Sequence, residues 1–179
     1  MSNPPPQQAS PSRPFSDPYL LAYSVDHVEY EFDMLLWLGA VLSKPRRIDG
    51  LRAEATRLNN SLIEAFAVHA RNVIEFLYPD TVRSTDVIAA DFFETDAWVE
   101  LRPAISATLK LARVRANKEI AHLTTNRISG NPPEKSWNVA SLMTELRPLM
   151  RLFATKARLA RSSPELTSLF ADHQTVTPP

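Results

Sequence analysis

Arg115 and His122 stand seven positions apart in the stretch RANKEIAHL, with Lys118 between them. Seven residues make about two helical turns, so the guanidinium and the imidazole leave the helix on one side, about 10 Å apart along its axis. Those residue types suit metal-free cleavage of RNA. A base must take the ribose 2′-OH proton, a cation must hold the charge that builds on the phosphorane, and an acid must protonate the leaving 5′-oxygen. Histidine exchanges protons near neutrality, while Arg115 and Lys118 supply the charge. No acidic cluster suited to Mg²⁺ lies on this stretch, so no metal and no cofactor is expected.

The placement follows from a wheel of about 100° per residue centred on Ile105. Arg115, Lys118 and His122 border one edge of the apolar stripe, whereas Lys110, Arg113 and Asn117 fall on the opposite flank. Arg113, Asn117, Lys118 and Arg127 are the candidates for gripping a substrate phosphate or base. A second polar group lies in HARNVIEF. His69 falls on an apolar stripe and reads as a packed, hydrogen-bonded histidine. Arg71 points away from it and has Glu75 four residues on, the spacing of an ordinary helix-surface ion pair. Arg71 and Asn72 are secondary substrate-binding candidates. His27 neighbours Glu29 and Glu31, but the two carboxylates lie about 200° apart on the wheel and cannot chelate one ion together. The sequence contains no glycine-rich phosphate loop, GxSxG or HExxH.

Four long helical segments must position these groups. The first is expected over about 17–43, with Val25, Val28, Phe32, Leu35, Gly39 and Leu42 on one stripe. The second spans about 50–78 and ends at Pro79. The third begins at Trp98 or Pro103, the proline suiting a first helical position, and reaches Leu123. The fourth spans about 137–160, with Pro148 expected to kink or split it. Between the second and third lies the acidic connection 79–97, where DVIAADFF predicts a short helix with Asp86 as N-cap. The tetrapeptide ELRP occurs at 100–103 and 145–148 without wider similarity and reads as chance.

Composition sets the frame. Only three glycines occur, at 39, 50 and 130, too few for the tight turns of a β-rich domain. The fold class is therefore all-α. The chain has 179 residues and no cysteine, which excludes disulfides, thiolate metal sites and cysteine nucleophiles. Residues 1–15 read as a disordered proline-rich tail, 16–161 as one helical domain, and 162–179 as a flexible tail with one helical turn in PELTSLF. The N-terminus has no apolar leader-like core, and no apolar run approaches a membrane span. A cytoplasmic protein without membrane contact is expected. Twenty acids balance twenty bases, but unevenly. Residues 17–33 hold five acids and no base, 102–127 six bases against Glu119, and 144–161 five bases against Glu145. The basic segments either pair with the acidic first helix or form a face for phosphates.

An antiparallel helical bundle with Arg-x6-His near the end of its third long helix resembles the HEPN superfamily. Its motif is Arg-x4–6-His, often with a polar residue just after the arginine. Here Ala116 follows Arg115, and Asn117 is the nearest polar position. The resemblance implies an antiparallel four-helix bundle over roughly 17–160. It also implies a metal-independent endoribonuclease with a composite site at a homodimer interface, Arg115 and His122 being catalytic. Toxin–antitoxin and phage-defence systems are the settings it implies, with RNA as substrate and an antitoxin or other protein as partner. Two alternatives stand beside it: a non-catalytic HEPN-like module that binds nucleotide, RNA or protein, and a structural interaction module in which His122 caps its helix and Arg115 pairs with an acid of helix one.

Overall fold

The computed structural model describes residues 15–44, 52–94, 96–120 and 137–171, with the backbone alone at 52–53 and 119–120. The described residues form helices and connecting loops and contain no strand, as the scarcity of glycine requires. Helix α1 (Asp17–Tyr23) passes through a π-turn (Ser24–Val28) into α2 (Glu29–Leu42). Helix α3 (Arg52–Leu77) follows, then a 3-10 turn (Ala89–Phe92) and short α4 (Ala97–Leu101). Helix α5 (Ala107–Arg115) continues into a second π-turn (Ala116–Ile120). Helices α6 (Val139–Lys156) and α7 (Pro164–Ser168) complete the order.

Helix α2 lies against α3 and α6, and α5 against the same two. The core fills the space between them and is strongly aromatic. Phe153 of α6 is fully buried, and its ring meets Phe32, Phe76, Phe92, Phe93 and Trp98 at centroid distances of 5.0–5.9 Å, all in edge-on geometry. Such pairs add to simple area burial because each ring edge meets another ring's electron-rich face. Gly39 lets α2 and α6 approach closely: a Cβ there would come within 2.8 Å of Met143 Cγ.

Several sequence expectations change at this level. The first helix is interrupted at Ser24, whose hydroxyl donates to the Leu21 carbonyl at 2.8 Å and accepts the Ser163 N–H at 2.8 Å. A side chain bonding back to the preceding turn loosens the regular ladder and fits a π-turn. Pro103 does not open the third helix. Ser106 caps it, accepting the Leu109 N–H at 3.1 Å, while the Pro103 carbonyl accepts Tyr78 O–H at 2.9 Å. Asp86 does not cap the short helix; its carboxylate accepts the Arg83 N–H, and Asp91 bonds the Ile88 N–H, both at 2.8 Å. Helix α6 runs unbroken through Pro148, because Thr144 and Pro148 both face water, which can satisfy the carbonyl the ring leaves without its donor.

The C-terminal boundary at 161 also moves. Ser162, Ser163, Leu166 and Phe170 are buried, and Arg161 ties the segment down by bonding Asp17 at 2.6 Å and the Asp91 carbonyl at 2.7 Å. The packed domain therefore extends through α7. Phe15, assigned to the N-terminal tail, stacks on Tyr19 at 5.1 Å and joins the domain too. The rest of both tails, and the breaks around 45–50 and 124–136, lie outside the described residues.

Candidate functional site

The basic residues divide into two groups according to what the backbone demands of them. At the end of α3 the last carbonyls lack helical partners. Trp98 Nε1 donates to the Leu77 carbonyl at 3.0 Å, and Arg102 donates to the same oxygen. Arg113 Nη1 donates to the Tyr78 carbonyl at 2.9 Å, and its Nη2 meets Asp80 at 2.5 Å. Cations suit this negative end of the helix dipole. Arg102 also stacks over the Tyr78 ring at 4.4 Å; burial pulls its pKa down and pushes that of Tyr78 up. Arg113 is 7% exposed. Its guanidinium closes a helix and is turned away from solvent, which corrects its assignment as a substrate-binding residue.

The 144–161 bases follow the other reading of the charge pattern in part. Arg158 and Arg161 both reach Asp17, at 3.5 and 2.6 Å. The Asp17 carboxyl is held below its usual range, first by its hydrogen bond with Arg161.

One to two turns before the end of α3 the polar groups serve no helix end. Glu31 of α2 is gripped at both oxygens. His69 Nδ1 lies 2.8 Å from Oε2, and Asn72 Nδ2 donates to Oε1 at 3.1 Å. A carboxylate oxygen accepts, so His69 Nδ1 is the donor in this pair. The His69 side chain is 12% exposed and also meets the Tyr30 ring edge-on at 5.7 Å. The packed, hydrogen-bonded reading of His69 fits this geometry, with Glu31 as the partner the sequence did not reveal.

Arg71 does not take the expected ion pair with Glu75. Its Nε donates to Asn117 Oδ1, joining α3 to the second π-turn across 46 residues of sequence. Glu75 instead lies 3.9 Å from Arg113. The wheel had set Asn117 apart from Arg115, but a regular 100° step does not hold through a π-turn. Arg71, Asn72 and Asn117 are thus brought into one seam. Arg115, just before the π-turn, is half-buried with its guanidinium 4.7 Å from the Trp137 ring centre, a cation–π contact with the approach to α6. Lys118 is exposed on the turn itself. His122 and Arg127 lie outside the described residues.

Beside the seam opens a cleft of about 520 Å³, the size of a small-molecule site. Tyr23 and His27 wall one side, Glu31, Arg71 and Asn72 line it from α2 and α3, and Arg83 stands on the 79–88 crossing. The Tyr23 and His27 rings are 4.6 Å apart. Burial pushes the Tyr23 pKa up, with Tyr19, Glu31 and Asp86 adding to the shift, so its hydroxyl stays protonated well past neutrality.

No family profile, characterised protein or solved structure matches this chain. Its chemistry must be argued from its own residues. Among those described, no group of histidines and acids is placed to hold a metal ion, and no helix is long and apolar enough to cross a membrane. The sequence did not single out Tyr23, Arg83 or Trp137. Their only signal is aromatic spacing at 15, 19 and 23, since the other contacts bridge distant segments.

Proposed function

We propose that this chain is an HEPN-like, metal-independent endoribonuclease built on an antiparallel four-helix bundle of α2, α3, α5 and α6. The observation that carries the reading is the Arg71–Asn117 hydrogen bond. It links Arg71 of α3 to Asn117, which lies in sequence between Arg115 and His122, and so supports reading candidates far apart in sequence as parts of one site. The mutual packing of α2 and α5 with α3 and α6 supports the bundle.

In this reading His122 takes the 2′-OH proton and O2′ attacks phosphorus. Arg115 and Lys118 hold the charge on the phosphorane oxygens. The P–O5′ bond breaks and O5′ receives a proton from a second copy of the motif across a homodimer. The products are a 2′,3′-cyclic phosphate and a 5′-hydroxyl. Asn117, held by Arg71, orients the strand. A toxin or phage-defence role restrained by an antitoxin is the setting such an activity fits.

The test is incubation of purified protein with mixed RNA in EDTA, beside Arg115→Ala and His122→Ala. Wild type should cleave and both variants should lose most activity. Equal cleavage by all three, or by none, overturns the proposal. In cells, expression of wild type should slow growth and His122→Ala should relieve it; equal growth counts against a toxin.

A second reading keeps RNA binding without cleavage. It is favoured by the Arg115 guanidinium lying against Trp137, which suits a clamp as well as a catalytic cation. Binding that survives His122→Ala with no cleavage by wild type would select it.

A further inference from the structure

The cleft beside the seam differs from the Arg115–Lys118 stretch in charge. Three groups that carry or can gain positive charge line it, His27, Arg71 and Arg83, against the three acids Glu31, Glu75 and Asp86. Such a balance gives no net pull on a phosphate. What the cleft offers is the Tyr23 and His27 rings on one side of a mainly polar lining, edged with fixed hydrogen-bonding groups.

The ring wall runs from just before α1 into the first π-turn, its members stacked at 11° and 28° and the last tilted by 53°. Phe15, Tyr19, Tyr23 and His27 recur every four residues, and their rings follow one another at 5.1, 6.2 and 4.6 Å. The row ends at the cleft, where Tyr23 and His27 form its wall. The opposite edge is held rigidly. Asn72 is anchored through Nδ2 to Glu31, which His69 fixes in turn, and Arg71 is anchored through Nε to Asn117. An amide so held keeps acceptor capacity for a planar partner. Neutral, planar and rich in donors and acceptors describes a nucleobase. Single-stranded RNA is read in this manner, by splaying a base out to stack on rings while its edge bonds fixed polar groups.

We propose that the cleft between α1, α3 and the 79–88 crossing is a nucleobase pocket that receives one unpaired base of an RNA strand whose phosphates run along the Arg115–Lys118 stretch. The inference rests on the reading of RNA as substrate and adds to it a subsite that sets base preference. Asn72 and Tyr23 are its recognition residues, and the Arg71–Asn117 bond couples it to the proposed cleavage segment.

The experiment uses the full chain with EDTA present. Adenosine, cytidine and uridine are titrated by calorimetry. Fluorescently labelled A, C and U pentaribonucleotides, and a pentamer of the preferred base with an abasic central ribose, are titrated by anisotropy. Two variants accompany wild type. Asn72→Leu removes the amide, and Thr85→Trp fills the cleft from an exposed rim position where folding is not at stake. One nucleoside should bind in preference to the others. Both variants and the abasic pentamer should lose about tenfold or more in affinity, the range expected for one stacked base. If pentamers bind but the abasic strand and both variants bind as well as their parents, the pocket falls and the RNA reading stands. If nucleosides bind and respond to both variants while no pentamer binds, the pocket stands as a free-nucleoside site and the RNA reading falls. If nothing binds, both fall.

Discussion

The two ends of the polar story on α3 look alike in sequence and differ in structure. At its C-terminus Trp98, Arg102 and Arg113 converge on the Leu77 and Tyr78 carbonyls, and every donor named there closes a helix. One to two turns earlier, His69 and Asn72 bond Glu31 and Arg71 bonds Asn117, beside an open cleft. The first group answers a need created by the backbone. The second answers none, since mid-helix backbone groups are already paired. A polar cluster that the backbone does not require, set against a cavity, is where a function is most economically sought.

The contrast can be broken by substitution, and the largest effect belongs to the helix end. Trp98→Ala removes a fully buried ring and the cap on Leu77 and should cost about 4 kcal/mol in urea unfolding. Arg113→Ala leaves the Tyr78 carbonyl without its buried donor and should cost about 2 kcal/mol, while RNA binding by the folded protein stays unchanged. A loss of RNA affinity beyond the loss of folded protein would return Arg113 to the binding surface.

The seam should respond in the opposite sense. Glu31→Gln weakens the grip on His69 and should cost only about 1 kcal/mol in the same unfolding measurement. RNA cleavage should fall about tenfold, the loss expected when a group that positions others goes slack. A stability loss as large as that of Arg113→Ala, with cleavage untouched, would make the seam a structural feature like the helix end.

The smallest effect lies at the edge of the domain. Arg161 holds the Asp17 carboxyl below its ordinary value, so the folded state binds its proton less readily than the unfolded chain does. That contribution is present above the unfolded value of about 3.9 and is lost as pH falls through the lower folded value. Asp17→Asn should therefore flatten part of the fall in unfolding midpoint between neutral and strongly acidic pH. An unchanged acid profile would show that the pair contributes nothing in solution.

The contrast also explains what the sequence could disclose. The stripes of α3 and α6 are legible in part because burial repeats with the helical period: Phe66 and Val73, or Leu142, Leu146, Leu149 and Phe153, follow from spacing, whereas Leu58, at a stripe position of α3, is exposed. The all-helical class followed from the glycine count. The π-turn at Ser24 was not legible, since it is stabilised by Ser163, 139 residues away. Burial of α7 likewise involves long-range contacts, those of Arg161 with Asp17 and Asp91 among them. The roles of the bases were hidden for a related reason. Arg113 and Arg115 differ by two positions on one basic helix, yet one seals a carbonyl and the other lies against Trp137. Charge patterning reports that a cation is present, and only the fold reports which carbonyl, carboxylate or ring it meets. Local i,i+4 spacing points Arg71 to Glu75, whereas its partner is Asn117, a contact that only the fold creates.

The central claim is that this chain cleaves RNA through the ribose 2′-hydroxyl without a metal. It is tested most directly by analysing the products formed in EDTA from a ribose strand and from the same sequence with every 2′-oxygen methylated. The account predicts fragments ending in a 2′,3′-cyclic phosphate from the first and an intact second strand. An uncut ribose strand, or equal cutting of both, would contradict it.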